Sequence, residues 1–231
     1  MSAEATTAVP NTTPTLTLLK VLGLVSAICG VIIVGSYELT LPAANANRRL
    51  ALERAVFKVV PTAKSIVEYY ALPTGGIEQA KGGGEAPANV AKFYAAYDDA
   101  GKLTGIAAEA GAKGYADIVR IMFGYDPACQ CIKGIGVVSM KETPGIGDKI
   151  LIDKDFQANF NGLDVRLKED MQGLVNEVKT VKHGTKTNPW QIDAIAGATV
   201  TSRAVGRGIN EAAQFLLPKL VPNVDKLKVK S

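Results

Sequence analysis

The chain has 231 residues, a formal net charge of +4 and three cysteines. A chain of this length can bury a hydrophobic core in one or two domains without help from disulfides or metal ions. Basic and acidic residues are well mixed, so the charge pattern does not indicate nucleic-acid binding. The single histidine, His183, lies in the polar run "KTVKHGTKTNP", a setting typical of a surface loop and not of a catalytic triad.

The N-terminal part of the sequence indicates a membrane helix. Residues 1–15 are small and polar and contain proline, so we expect them to be disordered. No charged residue occurs from Val21 to Tyr37, a stretch of about 26 Å at the helical rise of about 1.5 Å per residue. Leucines on its N-terminal side extend it, and we predict a transmembrane helix over residues 16–38. A cleaved signal peptide is the alternative, but the apolar stretch is longer than a typical signal-peptide core, which favours an uncleaved anchor.

The basic residues that flank this predicted helix bear on its orientation. Lys20 lies at its start, and four basic residues follow its end: Arg48, Arg49, Arg54 and Lys58. Counted by the positive-inside rule, this distribution favours a cytoplasmic C-terminal part. The nearest arginine lies several residues beyond the helix, so the charge count leaves the orientation open.

Residues 39–92 are predicted to connect the anchor to a folded domain. Apolar residues spaced as in an amphipathic juxtamembrane helix run from Leu50 to Val59, and Pro61 is expected to end that helix. The stretch "LPTGGIEQAKGGGEAPAN" that follows is rich in glycine and lacks P-loop spacing. We interpret it as an exposed linker.

From residue 93 the pattern changes to short strands separated by turns. Tyr97 and Tyr125 each precede an aspartate at the end of an apolar stretch, and "LTGIA" after the first turn matches "IKGIG" after the second. We therefore expect two related β-hairpins. A short helix is predicted around Asp153–Phe160, and one more strand in "LVNEVKTV".

The last predicted element is an amphipathic helix. From Ser202 to Leu217 the apolar residues form one helical stripe, and Pro218 is expected to end it. We thus predict an α+β domain over residues 93–217, in which helices cover antiparallel strands, followed by a solvated tail over residues 218–231.

Two short motifs carry candidate chemistry. In "DAIAGATVTS", residues 193–202, small residues lead into the predicted helix, and Thr199, Thr201 or Ser202 is expected to cap it. A helix N-terminus also favours a phosphate, because its free N–H groups and its dipole attract negative charge. In "KETPGIGD", residues 141–148, a proline and two glycines predict a turn whose backbone can approach a planar ligand closely. An ordinary loop between strands is the alternative for this second motif.

Cysteines and aromatic residues give weaker signals. Cys129 and Cys131 lack the paired spacing of a zinc site, and we interpret them as incidental or as a site of redox modification. A disulfide between them is expected to be strained, and no metal site is predicted. Trp190, Tyr115 and Tyr125 could stack on a flavin or a base, although such residues more commonly pack beside a core.

Three features occur in order along the chain: the N-terminal anchor, the segment from "GYADIVRIMFGYD" to "IKGIGVVSMKETPGIGDKI", and "DAIAGATVTSRAV". Their combination resembles the FMN-binding domain of the G subunit of the Rnf (Rsx) ion-translocating ferredoxin:NAD oxidoreductase complex. That family is related to the C subunit of the Na+-translocating NADH:quinone oxidoreductase. The resemblance covers the anchor and residues 93–217, and it implies an antiparallel-sheet domain that binds FMN and transfers electrons.

In that family a flavin transferase recognises the run D-x-x-[ST]-G-A-T and joins FMN through its phosphate to the threonine oxygen. The resemblance therefore implies covalent FMN at Thr199, within a modification signal that includes Asp193, Gly197 and Ala198. Ala196 departs from the family, which usually has Ser or Thr at that place. The resemblance also implies cofactor-binding roles for residues of two loops: Tyr115, Glu142, Thr143, Gly145 and Gly147.

The resemblance further implies a redox subunit that works in a membrane complex and is not catalytic alone. Its expected partners are the other subunits of the complex, a flavin transferase and the lipid bilayer, without nucleic acid. The family places the flavin domain on the periplasmic (outer) face of the inner membrane, which overrides the charge count. Two alternatives stay open: the C subunit of a Na+-translocating NADH:quinone oxidoreductase, and a flavin-free anchored structural protein in which "GAT" only caps a helix.

Overall fold

The computed structural model describes residues 14–80 and 90–228. The described residues form two compact units, which meet in the sequence between Arg48 and Arg49. Most of the N-terminal segment predicted to be disordered lies outside the described residues, and so does the second half of the predicted glycine-rich linker, residues 81–89.

The first element is one long helix, α1, Thr15–Val59. An 18-residue window of this helix has a mean hydropathy of 2.4 and none of it is buried, so the helix is long and apolar enough to cross a membrane. Two helices were expected here, whereas the structure has a single one that continues through Pro42. Proline removes one backbone donor, but its fixed φ is compatible with a helix. The helix ends at Val59, before Pro61, as predicted.

A seven-stranded antiparallel sheet forms the centre of the second unit, in the spatial order β2-β1-β3-β4-β5-β6-β7. Its strands are β1 Ser65–Ala71, β2 Ile77–Gln79, β3 Ala91–Tyr97, β4 Leu103–Lys113, β5 Ile118–Asp126, β6 Cys131–Ser139 and β7 Leu163–Asp164. The other elements are α2 Lys154–Ala158, β8 Lys179–Val181, β9 Gln191–Asp193 and α3 Thr199–Leu220. The antiparallel sheet with covering helices that the sequence predicts is confirmed.

The folded domain begins earlier in the chain than the predicted boundary at residue 93. β1 and β2 come from the region interpreted as a connection, and β1 pairs along its whole length with β3. The sequence of β1, "SIVEYYA", is rich in β-branched and aromatic residues, which favour strands. This signal was present in the sequence but was hidden by the glycine-rich stretch beside it.

The two predicted hairpins are confirmed as β3–β4 and β5–β6. Their turns have the same local geometry: Asp98 Oδ1 accepts from Ala100 N at 2.9 Å, and Asp126 Oδ1 accepts from Ala128 N at 2.9 Å. The tyrosine that precedes each aspartate is buried, and burial raises the pKa of both phenols. The two hairpins therefore share two features: an aspartate that accepts a hydrogen bond within the turn, and a buried tyrosine just before it.

Side chains on the two faces of the sheet form two separate cores. Phe93 and Tyr97 of β3 belong to the larger core, whereas Tyr94 and Ala96 belong to the smaller one. Neighbouring residues of a strand point to opposite faces, so the two cores lie on opposite sides of the sheet. The apolar stripe of α3 covers the larger core, and the C-terminal end of α1 covers the smaller one.

Glycines on three neighbouring strands let the end of α1 approach the sheet closely. A Cβ atom added at Gly124 of β5 would lie 2.6 Å from Val59 O. Added Cβ atoms at Gly105 and Gly136 would also contact this helix end and the residue after it, at distances of 3.1 and 3.4 Å. Because these three glycines have no side chains, the end of α1 can pack directly over them.

The segment between β7 and α3 contains less strand than predicted. In "LVNEVKTV" only the last three residues form a strand, β8, and it pairs in parallel with β9 in a separate two-stranded sheet. Val178 N donates to Asn210 Oδ1 of α3 at 2.9 Å, so a helix side chain takes the place of a neighbouring strand. The predicted short helix is confirmed as α2, which Asp153 caps by accepting from Phe156 N at 2.8 Å.

The chain beyond Pro218 belongs to the folded domain, at least to Lys228. α3 continues through Pro218 to Leu220, and a 3-10 helix, Val221–Leu227, follows. Leu220 and Leu227 are buried in the larger core, so apolar burial favours an ordered chain where a solvated tail was predicted. Leu103 N also donates to Lys228 O at 3.2 Å, which ties this segment to β4.

Cys129 and Cys131 form a disulfide across the turn between β5 and β6, with their Cα atoms 5.2 Å apart. The interpretation of these residues as incidental is therefore wrong. The intervening residue, Gln130, has a positive φ of 49°, a left-handed conformation that allows such closely spaced cysteines to meet.

We expect Gly124→Ala to lower the free energy of unfolding by about 1–3 kcal/mol, because the new methyl group collides with the backbone of α1. The matched control is Gly134→Ala. Gly134 is the cross-strand partner of Gly124, and a Cβ atom there meets nothing within 4 Å, so we expect a change below about 0.5 kcal/mol. Denaturant unfolding of the full chain in detergent, followed by the fluorescence of the single tryptophan, measures both effects. Equal effects of the two variants would contradict the packing of α1 on this strand.

Candidate functional site

The N-terminus of α3 is not capped by a side chain. Its N-cap residue is Ala198, with φ −116° and ψ 32°, and Thr199 is the first residue of the helix. The expectation that Thr199, Thr201 or Ser202 caps the helix is therefore wrong. The first backbone bond of the helix runs from Ser202 N to Ala198 O at 3.0 Å. The N–H groups before it lie at the open end of the helix, where they and the helix dipole favour an anion.

Three hydroxyl groups lie in the first turn of α3, and two of them form hydrogen bonds with other groups of the protein. Ser202 is fully buried; its Oγ donates to Ala198 O at 3.0 Å and accepts from Ile195 N at 3.1 Å. Thr201 Oγ1 donates to Glu142 Oε2 at 2.8 Å. Thr199 is half-buried, and its hydroxyl has no hydrogen-bond partner among residues 14–80 and 90–228. Of the three, Thr199 is the one whose hydroxyl is free to react.

The Glu142 carboxylate connects the first turn of α3 to two loops. Oε2 accepts from Thr201, and Oε1 accepts from Ala116 N at 3.2 Å and from Asp117 N at 3.5 Å. Two glycines make room for it, because an added Cβ atom at Gly114 would collide with Oε1 and one at Gly147 would lie 2.6 Å from Glu142 Cβ. Glu142 is thus half-buried and holds three segments together.

The "KETPGIGD" loop forms a tight turn beside this carboxylate. Thr143 O accepts from Ile146 N at 3.1 Å and from Gly147 N at 3.0 Å, and Gly145 has a positive φ of 77°. Gly147 is buried and begins a 3-10 helix, Gly147–Leu151. The side of Gly145 on which a Cβ atom would lie is open. Gly145 therefore allows the conformation of the turn, and Gly147 allows the turn to pack against Glu142.

Asp193, the first residue of the predicted modification signal, is used within the protein. Its carboxylate accepts from Gly184 N at 2.8 and 3.0 Å, and His183 Nδ1 lies 3.5 Å from Oδ2. Its backbone N donates to Asn159 Oδ1 at 2.9 Å. Asp193 thus fixes the start of the "DAIAGAT" segment by holding the 183–184 loop.

Lys186 contributes a charge near Asp193. Its Nζ donates to Asn159 Oδ1 at 3.0 Å. Burial lowers the pKa of Lys186, and the nearby Asp193 carboxylate partly opposes that shift. Both residues line an open cavity of about 450 Å³ together with Asn188 and Pro189.

The residues between Asp193 and the helix form an exposed turn. Gly197 has a positive φ of 82°, and a Cβ atom there would meet nothing within 4 Å. Ala196 is exposed, whereas Ala198 is buried. The space in front of Thr199 is therefore bounded by backbone and small side chains, which leaves the hydroxyl accessible.

The aromatic candidates differ in their positions. Tyr115 is 72% exposed and lies in the loop that Glu142 holds. Tyr125 is buried in the larger core, which rules it out as a stacking surface, and Trp190 is half-buried. Only Tyr115 is both exposed and tied to the segments that meet at Glu142.

A basic cleft beside the start of α3 was not foreseen from the sequence. It has a volume of about 400 Å³ and is lined by Val178, Lys179, Thr180, Val200, Arg203 and Arg207. Residues at i and i+4 of a helix lie on one face, so Arg203 follows Thr199 on the same face. The four-residue spacing of Thr199, Arg203 and Arg207 is the sequence signal that indicates this cleft.

An unpartnered acceptor lies in the 3-10 helix that follows the "KETPGIGD" turn. Oδ1 of Asp148 is buried and has no hydrogen-bond partner within the described part of the chain. A buried carboxylate oxygen without a donor is costly, so this position favours a ligand that donates a hydrogen bond.

Comparison with known proteins connects this site to a family. Residues 114–214 match the family model described as the FMN-binding domain. This range contains every residue that the sequence assigned to the cofactor site, from Tyr115 to Thr199.

Two curated relatives are G subunits of ion-translocating complexes by name. The G subunit of the ion-translocating oxidoreductase complex of Shewanella piezotolerans is 34% identical over 103 residues, which cover 44% of this chain and 43% of that protein. The G subunit of the Na(+)-translocating ferredoxin:NAD(+) oxidoreductase complex of Acetobacterium woodii is 29% identical over 160 residues, which cover 68% of this chain and 70% of that protein. The chain spans about half the length of several of the curated relatives that it matches.

A solved structure shares the fold. NqrC of Shewanella oneidensis superposes with a TM-score of 0.57 and 22% identity, over 79% of this chain and 99% of that one. Together with the family match, these similarities confirm the expected relationship. Residues 114–214 match the FMN-binding domain family, within a chain that is similar to the G subunits of ion-translocating oxidoreductase complexes.

Proposed function

We propose that this chain is an electron-transfer subunit of a membrane-bound, ion-translocating oxidoreductase complex of the Rnf type, with FMN attached to Thr199 by a phosphoester bond. The observation that carries the proposal is the free hydroxyl of Thr199 at an uncapped helix N-terminus within an FMN-binding family domain. In this attachment the Thr199 oxygen bonds to the phosphorus of an FMN unit carried by an activated flavin nucleotide, the bond from that phosphorus to the rest of the donor breaks, the nucleotide portion leaves, and the hydroxyl proton is released. The flavin transferase expected from the sequence is the partner that would carry out this step.

The residues around Thr199 fit a phosphate group. The open N–H groups of the first turn of α3 and the positive end of the helix dipole favour a negative charge at this position. Arg203, one turn further along the same helix face, adds a positive charge in the basic cleft. A phosphodiester at Thr199 would therefore replace the missing side-chain cap.

The loops beside Thr199 fit the rest of a flavin. The orphaned Oδ1 of Asp148 is an acceptor suited to a ribityl hydroxyl or a ring N–H. Gly145 and Gly197 leave open space, and Tyr115 offers an exposed aromatic ring. This set of donors, acceptors and apolar surface supports the cofactor-binding roles that the sequence assigned to Glu142, Thr143 and Gly147, with Glu142 acting by positioning.

Bound FMN would supply one- and two-electron chemistry, and the protein would set its potential through burial and hydrogen bonds. The role of the chain is to hold the cofactor: α3 provides the attachment point, and Glu142 keeps the first turn in place. A covalent bond also prevents loss of the cofactor by dilution outside the cytoplasm. The chain is thus a redox subunit that is not expected to turn over a substrate alone.

The structure also bears on the two alternatives. A flavin-free structural protein would need "GAT" to act as a helix cap, but Ala198 is the N-cap residue and no side chain caps the helix. The C subunit of a Na+-translocating quinone reductase shares the fold, yet that likeness, at 22% identity, concerns the fold alone. The curated relatives favour the G subunit.

The proposed partners are the other subunits of the complex and the lipid bilayer. The apolar stretch of α1 has no charged residue from Val21 to Tyr37 and so offers no ion path of its own. Ion transport would therefore belong to other subunits. The disulfide between Cys129 and Cys131 is typical of an oxidising compartment and supports a periplasmic, outer position for residues 49–231.

Thr199→Val is expected to abolish covalent flavin, because valine has nearly the same shape but lacks the hydroxyl oxygen. The test is co-expression of the full chain with a flavin transferase, followed by denaturing gel electrophoresis and ultraviolet fluorescence of the band. Thr199→Ser is the control and is expected to keep the fluorescence, since it keeps the hydroxyl. A fluorescent Thr199→Val band would place the attachment elsewhere.

Glu142→Ala is expected to lower both the stability of the chain and the yield of covalent flavin. The substitution leaves three hydrogen-bond donors without their acceptor, at a cost of about 1–3 kcal/mol. The matched control is Glu109→Ala, which removes an ion pair with Arg120 at 3.4 Å and is expected to cost about 0–1 kcal/mol. Thermal unfolding and the fraction of flavin-modified chain are the two measurements. If both variants kept full modification and equal stability, Glu142 would not organise the site.

A fusion after residue 231 tests the proposed orientation. Alkaline phosphatase, which needs an oxidising compartment, is expected to be active when fused there, and a cytoplasm-dependent fluorescent protein is expected to be dark. The opposite pattern would place the flavin domain in the cytoplasm, as the count of flanking basic residues favours.

A further inference from the structure

The disulfide between Cys129 and Cys131 joins two sulfur atoms in unlike surroundings. Cys129 is exposed in the turn, whereas Cys131 is only 7% exposed and begins β6. Cys131 pairs with Asp126 of β5 on one side and with Asp164 of β7 on the other. An incoming reagent therefore has better access to Cys129 than to Cys131, which is buried.

This disulfide is poorly placed to stabilise the fold as a cross-link. The stabilisation that a disulfide gives through loop closure grows with the number of residues it encloses, and this one encloses only Gln130. The turn is also held without it, because Asp126 Oδ1 accepts from Ala128 N at 2.9 Å and Asp126 pairs with Cys131. The disulfide therefore calls for another explanation.

The residue inside the disulfide ring connects the turn to a neighbouring segment. Gln130 has a φ of 49°, a left-handed conformation that is unfavourable for a side chain of this kind. In this conformation its backbone O accepts from Val165 N at 3.2 Å, and its side-chain Oε1 accepts from Leu167 N at 3.2 Å. The disulfide thus holds Gln130 in the position from which it binds residues 165–167.

We propose that Cys129 and Cys131 form a thiol–disulfide exchange site, whose reduction releases residues 165–167 from the turn. The reductant is a dithiol, such as a protein with two neighbouring cysteines. Its thiolate attacks the exposed Cys129 sulfur, the bond between Cys129 and Cys131 breaks, and Cys131 leaves as a thiolate that takes up a proton. The second thiol of the reductant then resolves the mixed disulfide. Two electrons and two protons pass to the cysteine pair, and the reductant becomes a disulfide.

This site is separate from the proposed flavin site. β5 starts at Ile118, next to the loop that Glu142 holds, and the cysteine turn follows its other end at Asp126. Its nine residues, at about 3.3 Å each, place the two ends roughly 25–30 Å apart. The proposal therefore does not depend on flavin attachment, and Thr199→Val is expected to leave the cysteine chemistry unchanged.

Thiol counting in defined redox buffers tests the exchange. The full chain with Cys29→Ala, which removes the third cysteine, is equilibrated in detergent with dithiothreitol at a series of reduced-to-oxidised ratios. It is then quenched with acid, labelled with a maleimide–polyethylene glycol and resolved on a gel. We expect no label under oxidising conditions, two labels under reducing conditions, and a single reversible two-electron transition between them.

Single-cysteine variants test the assignment of the exposed sulfur. On the same background, Cys131→Ser leaves Cys129, and Cys129→Ser leaves Cys131. We expect Cys129 to react with maleimide at least ten-fold faster than Cys131 in the folded protein. No label at any ratio in the folded protein, two labels at every ratio, or equal rates for the two single cysteines would each overturn the proposal.

Hydrogen exchange tests the structural consequence. On reduction, the Val165 and Leu167 amides are expected to exchange faster, because Gln130 no longer holds its conformation. The matched control is the Gly162 amide, which donates to Ile132 O at 2.9 Å and does not depend on Gln130. Unchanged exchange at Val165 and Leu167, or an equal increase at Gly162, would overturn the release of residues 165–167.

Discussion

The site depends on one carboxylate. Glu142 accepts hydrogen bonds from Ala116 N, from Asp117 N and from the Thr201 hydroxyl, and these partners lie up to 59 residues away in the chain. A carboxylate suits this position, because it only accepts and all three partners only need an acceptor. Glycines at positions 114 and 147 leave the space that it occupies. Without Glu142, the loop after β4, the turn after β6 and the start of α3 would have no common contact of this kind.

As a consequence, the three hydroxyl groups in the first turn of α3 have different roles. Thr201 is engaged by Glu142, and Ser202 is engaged by the backbone on both sides of the turn. Thr199 is left at an uncapped helix start, beside small residues and a basic cleft. A phosphate at this position would satisfy the open N–H groups that no side chain reaches. The proposed attachment of a phosphate thus fits the observed structure, in which no side chain caps the N-terminus of α3.

Sequence reasoning predicted the elements that depend on local patterns. The apolar helix, the two hairpins and the amphipathic stripe of α3 follow from periodicity and turn residues. It failed where a tertiary contact decides the outcome: Pro218 lies within α3 because the leucines around it are buried, and "LVNEVKTV" is mostly irregular because Asn210 takes a backbone donor. The resemblance to a family identified the motif residues Asp193 and Glu142, but it did not predict the groups with which they form hydrogen bonds. Which carboxylate meets which loop is a property of the folded sheet, and spacing in the sequence does not encode it.

The proposed function depends above all on Thr199 as the residue that carries the cofactor. The most direct measurement is the mass of the proteolytic peptide that contains Thr199, taken from the full chain purified from a membrane in which the flavin transferase is present. This peptide is expected to gain the mass of FMN less water, and fragmentation is expected to locate the gain on Thr199. An unmodified peptide, or the same gain on Thr201 or Ser202, would contradict it.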